Sequence, residues 1–92
     1  MTATFGVSDR QHTAYDPKAA ILDNAADLQA CVDESRTATK PLYVYYCSDE
    51  HGNRRRPDIY ARVVKSGEFE RVAEFPGSEE LYSYRVYRLK NG

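Results

Sequence analysis

Tryptophan is missing altogether from this 92-residue chain, methionine occurs once, and cysteine and histidine occur twice each. Two cysteines cannot make the dense disulfide framework of a small secreted scaffold. Cys31, Cys47, His12 and His51 also lack the paired ligand spacing of a zinc site, so no metal is expected. A nucleophile built from Cys47 and His51 would need mutual hydrogen-bond reach and a third, orienting group, and the sequence offers no such set. Glycine and proline are sparse, at five and four. Neither a phosphate-binding loop, nor a glycine fingerprint, nor a nucleophile elbow is present. No apolar run is long enough to span a membrane. The first residues lack the basic start and apolar stretch of a secretory leader, so the reading is an intracellular protein with free thiols. An excess of one charge is absent too: thirteen Lys and Arg stand against fourteen Asp and Glu. Global charge therefore predicts neither nucleic-acid binding nor mimicry of DNA, and any basic footprint must be local.

The chain does have aromatic residues, eight of them tyrosines and three phenylalanines. A tyrosine buries a ring and keeps a polar tip, which suits half-exposed sheet faces and interfaces. Hydrophobic residues make up 41%, enough for a core. A chain of this size hides only about 60–65% of its unfolded surface. One domain over residues 1–92, with one layer of helix on one sheet, is the expected limit. A deep catalytic cleft does not fit that limit, and the expectation is a binding protein rather than an enzyme, without cofactor or small-molecule substrate.

Local patterns divide the chain into one helix and four strands. Asp16-Pro17 supplies a cap and a first-turn proline, and alanines favour a helix over residues 17–35. Ile21, Ala25, Leu28 and Val32 form its apolar stripe, with Leu22 and Cys31 beside it. Asp23 or Asn24 can cap a second, shorter helix inside that span. Residues 42–47 are rich in β-formers and read as the central strand. Residues 49–53 read as a turn, and Pro57 sets the start of the next strand, 58–65. Further strands fall at 68–75 and 79–89, separated by turn signals at Ser66-Gly67 and at 76–78, while Arg71 and Val72 break the alternation. Residues 2–7 are a candidate fifth strand. Short connections make neighbouring strands antiparallel. The expected fold is α+β: an antiparallel meander of four strands, or five with 2–7, and one N-terminal helix across one face.

That architecture leaves the other face of the sheet uncovered. Tyr60, Arg62, Arg85 and Tyr87 are assigned to it, as a Tyr/Arg patch of the kind that binds protein or nucleic acid. Arg54, Arg55 and Arg56 stand beside the 49–53 turn and can reach phosphates or carboxylates in forked geometry. The acidic residues Asp23, Asp27, Asp33 and Glu34 come early and the arginines centrally, which suggests one acidic and one basic side.

Three stretches, Met1-Thr2-Ala3-Thr4-Phe5-Gly6-Val7, the Asp16-Pro17 helix start, and Tyr45-Tyr46-Cys47 followed by Arg54-Arg55-Arg56, carry a family likeness. The chain resembles phage-encoded anti-CRISPR proteins of the type I-F group over nearly its whole length. The resemblance implies a small, cofactor-free inhibitor acting in the cytoplasm of an infected bacterium. It implies binding to Cas subunits of the type I-F crRNA-guided surveillance complex, with the crRNA backbone as a further contact, so that target DNA is kept from binding or pairing. The near-neutral charge departs from the strongly acidic DNA-mimic members. The alternative from the residues themselves is a small nucleic-acid-binding regulator of a phage or mobile element, and a third is a minor virion or assembly protein.

Overall fold

The computed structural model describes residues 1–5, 20–46, 49–75 and 84–90, with His51 described by its backbone alone. The described strands are β1 (Thr2–Thr4), β2 (Ala20–Ile21), β3 (Tyr43–Tyr46), β4 (Phe69–Phe75) and β5 (Tyr84–Leu89). The described helices are α1 (Ala25–Ala38), α2 (Asp49–Arg55) and α3 (Pro57–Tyr60), and α3 passes directly into a π-helical segment, Ala61–Lys65.

Helix α1 starts at the second of the two capping positions. The Asn24 side chain accepts from the backbone N–H of Asp27, satisfying a free amide of the first turn, and the Asp27 carboxylate accepts from the N–H of Asp23 just before the cap. Thr39 closes the helix in the left-handed region at φ 55°, its N–H donating to the Ser35 carbonyl. Leu28, Val32 and Ser35 are the buried stripe. The expected helix over 17–35 is thus corrected: Ile21 belongs to β2, where it is exposed, and Ala25 is exposed at the helix start. The Asp16-Pro17 start lies outside the described residues, as do the loop at 8–15, Cys47 and the turn at 76–78.

The five strands form one mixed sheet in the order β2-β1-β3-β5-β4. β1 pairs in parallel with both β2 and β3, while β3–β5 and β4–β5 are antiparallel. The antiparallel meander is therefore wrong in its first half. α1 joins β2 to β3, and a connection long enough to hold a helix can return the chain in the same direction. β4 and β5, which fall within the expected 68–75 and 79–89 strands, pair antiparallel as expected, and residues 79–83 of the second lie outside the described residues. The break in alternation at Arg71-Val72 is a β-bulge: Arg71 faces Tyr87, and the next pair is Ala73 with Val86.

The second correction falls on residues 49–65, expected as turn and strand and found as helix. Ile59, Ala61 and Val63 alternate as a strand face would, yet Ala61 is exposed while Ile59 and Val63 are 1% and 0% exposed. The burial follows the i, i+4 helical spacing and not the period of two. Pro57 stands at the first helical position and Asp58 in the first turn. In α2, Asp49 and Glu50 open the helix and Arg54 and Arg55 close it, complementing the helix dipole at both ends. Ser66-Gly67 is a turn, with Gly67 at φ +83°, but it joins helix to strand rather than strand to strand.

Both α1 and α3 pack on the same side of the sheet. Leu28 and Val32 from α1, with Ile59 and Val63, form one buried cluster with Val44, Tyr46, Tyr87 and Leu89 of β3 and β5. The helical layer is therefore not the N-terminal helix alone. If residues 57–65 are helical, Ala61→Glu leaves stability within about 0.5 kcal/mol. Ile59→Ala in turn costs about 2–5 kcal/mol through the cavity it opens. Urea denaturation of the two variants separates helix from strand, since a strand would penalise both.

Candidate partner-binding surface

The covered side of the sheet carries two of the residues assigned to the open one. Tyr87 stands opposite Val44 and is 6% exposed, stacked on Tyr46 with ring centroids 6.0 Å apart. Arg85 stands opposite Tyr46 and reaches Asp49, Nε to Oδ2 3.6 Å. Tyr60 and Arg62 are not on the sheet at all. Tyr60 is half-buried on α3, its ring 5.8 Å from that of Tyr46. Arg62 lies in the π-helical segment and grips Glu68 with two bonds, of 2.9 and 3.3 Å. The four side chains thus do not make one exposed patch. The sheet's other side bears Thr4, Tyr43, Tyr45, Tyr84 and Val86 by register. Thr4 and Tyr45 are buried there, at 0% and 3%, and Phe75 is 51% exposed at the β4 margin. That side is closed at its centre, which corrects the expectation of a wholly free face.

A polar brace holds the helical unit where β3 ends. Tyr46, the last residue of β3, donates its hydroxyl to Asp49 Oδ1 at 2.6 Å. Tyr60 donates to the same oxygen at 3.4 Å, and Arg85 approaches the other. Asp49 is the first residue of α2, so one carboxylate ties α2 to β3, to α3 and to β5. Gly52, one turn on, is buried against this brace: a Cβ there would lie 3.2 Å from the Phe5 ring and 3.4 Å from that of Tyr46. A side chain there would push the Phe5 ring aside by a few tenths of an ångström, so the close approach of helix backbone to rings favours glycine.

The brace also raises the tyrosines' resistance to ionisation. Burial, then the Asp49 carboxylate, pushes the Tyr46 hydroxyl far above the ordinary tyrosine range. Tyr60 is raised for the same two reasons, burial first. Protonated hydroxyls facing a carboxylate donate hydrogen bonds and make poor nucleophiles.

The arginine run is displayed by that brace. Arg54 and Arg55 occupy the last turn of α2 and are exposed, and among the described residues neither has an ion-pair partner. Arg56 behaves differently. Its guanidinium donates to the Arg55 carbonyl at 2.8 Å and to Asp23 at 3.4 Å, while its Nε is buried without a hydrogen bond. The early acidic and central basic segments meet at this pair rather than occupying opposite sides. Two exposed guanidiniums in one helical turn can engage phosphate or carboxylate groups in forked geometry.

Among the described residues no helix is long and apolar enough to cross a membrane, and no group of three His, Cys, Asp or Glu side chains is placed to hold a metal. Comparison with family models, with curated proteins and with solved structures finds no match.

Stability should depend on pH from both ends. The Arg62 hydrogen bonds hold the Glu68 carboxyl below its ordinary value of 4.5, so its contribution is present above that pH and lost as pH falls through the lowered value. The raised Tyr46 and Tyr60 contribute below their ordinary value of 10.0 and lose that contribution as pH rises past it. Thermal unfolding of Glu68→Gln is expected to flatten the acid limb, and that of Tyr46→Phe the alkaline limb. Absorbance titration should show Tyr46 ionising only as the fold opens.

Proposed function

We propose that this protein is a non-enzymatic inhibitor that acts in the bacterial cytoplasm. It binds Cas subunits of a type I-F crRNA-guided surveillance complex and keeps target DNA from binding or pairing. The sequence resemblance supplies the class of partner. The observation that carries the surface assignment is the pair Arg54 and Arg55, exposed at the end of a short helix whose other end is fixed to the sheet through Asp49. A helix held in place fixes where the two arginines leave the backbone, so the segment itself need not be ordered on association. The two arginines meet acidic side chains of a Cas subunit or the phosphates of the guide RNA. Arg56 acts behind them, holding the helix end to Asp23. Tyr60 and Arg62 support the same helical unit, while Arg85 and Tyr87 work from the covered side of the sheet as its anchor.

The double variant Arg54→Ala/Arg55→Ala tests this reading. Both side chains are exposed, so the fold should survive, as circular dichroism would verify. Affinity for the purified surveillance complex is expected to fall at least tenfold, about 1.4 kcal/mol. Target-DNA binding by the complex should return in step. Full inhibition by the variant would remove the arginines from the interface, and no association of the wild-type protein with the complex would remove the function. Tight binding to free RNA or DNA, weakening steeply with salt, would favour the nucleic-acid regulator instead.

A further inference from the structure

A hollow of about 780 Å³ opens beside the C-terminus of α1, where the link to β3 meets the end of β5. Arg36, Lys40, Arg88 and Lys90 line it, together with Ser35 and Tyr43. No Asp or Glu among the described residues does so. All four cations are exposed. Only Arg88 is engaged, to Glu70 at 2.6 Å, and Glu70 faces it across the β4–β5 ladder. Arg36, Lys40 and Lys90 have no ion-pair partner among the described residues, although Arg36 adds to the field that lowers Glu68.

The rim is set by the fold rather than by the charges. The Lys40 N–H donates to the Ser35 carbonyl at 3.0 Å, and the Ser35 hydroxyl donates back to the Lys40 carbonyl. On the other wall the Lys90 N–H donates to Glu68 at 2.9 Å, and the Leu89 N–H to Leu42 at 3.0 Å. A helix C-terminus accounts for a cation at Arg36 and for one at Lys40. It does not account for Arg88 on β5 or for Lys90 just after it, which line the same hollow. Gathering three unpaired cations beside the Glu70-paired Arg88 around one concavity costs free energy in the empty protein, and a multiply charged anion offsets that cost.

We propose that this hollow binds closely spaced phosphate groups. The two guanidiniums provide forks that match phosphate oxygens, and the two ammonium groups provide mobile point charges. This site is separate from the Arg54/Arg55 surface and stands whether or not that assignment holds.

Calorimetry with tripolyphosphate is the first test. Wild-type protein is expected to bind it, and Arg36→Ala/Lys40→Ala/Lys90→Ala at least tenfold more weakly. Lys65→Ala, which removes a cation whose ammonium lies 5.8 Å above the Tyr60 ring, should bind as wild type does. Glu70→Gln frees Arg88 and should tighten binding several-fold. A short single-stranded RNA of uniform sequence distinguishes the source of the phosphates. If it binds the wild type more tightly than tripolyphosphate and loses affinity in the triple variant, the ligand is a nucleic-acid strand. If tripolyphosphate binds more tightly, the ligand is a free polyphosphate or a nucleotide. Three results would overturn the proposal: no tripolyphosphate binding by the wild type, equal loss in Lys65→Ala, or equal affinity for a polyglutamate peptide, which would make the hollow a general anion surface.

Discussion

The alternation of β3 governs the rest of this structure. Leu42 and Val44 lead to Tyr46 on one side, all fully buried, and the neighbouring strands present Ala3, Tyr87 and Leu89 to the same side. A chain of 92 residues has one core to spend its large side chains on. Both helical units must bring their apolar stripes to that side, because the core lies there. A slip of one residue in β3 would turn Val44 and Tyr46 outward and leave Leu28, Val32, Ile59 and Val63 without a floor.

Much of this was legible where a residue's role is local. Asn24 as a cap, β3 itself, a turn at Ser66-Gly67 and the disturbed alternation at Arg71-Val72 all follow from neighbours in sequence. Residues 57–65 were not legible by the same means. Ile59, Tyr60, Val63 and Val64 have strand preferences, but those preferences are weak and yield to packing. Pro57-Asp58 was the contrary signal, and the acid-first, base-last order of α2 was another, since both mark helix ends. The parallel pairing of β1 depends on where a helical crossover lands, which no local pattern states. The site was legible in part for the same reason. The arginine run was visible as charge, whereas the placement of Arg85 and Tyr87 required knowing which sheet face the helices would cover.

That reversal changes what the aromatic residues do. Tyrosines spread over a free sheet face would themselves be the adhesive surface. Here Tyr46, Tyr60 and Tyr87 face inward, and their hydroxyls and rings converge near a single carboxylate. Asp49 is thereby both the N-terminal charge of α2 and the acceptor that holds it down. The tyrosines instead hold a two-turn helix against the sheet through its first residue. An isolated helix of that length would not persist in water.

The two cationic regions lie off opposite ends of the same strand. Tyr43 lines the hollow and Tyr46 holds the brace, a separation of about 10 Å at strand rise. A net charge of −1 means the molecule has almost no long-range attraction for an anionic partner. Recognition by such a protein has to come from short-range fit around fixed cations. Its association should be slower and its salt dependence shallower than those of a uniformly basic protein. The salt dependence should count the few cations in contact with the partner rather than all thirteen in the chain.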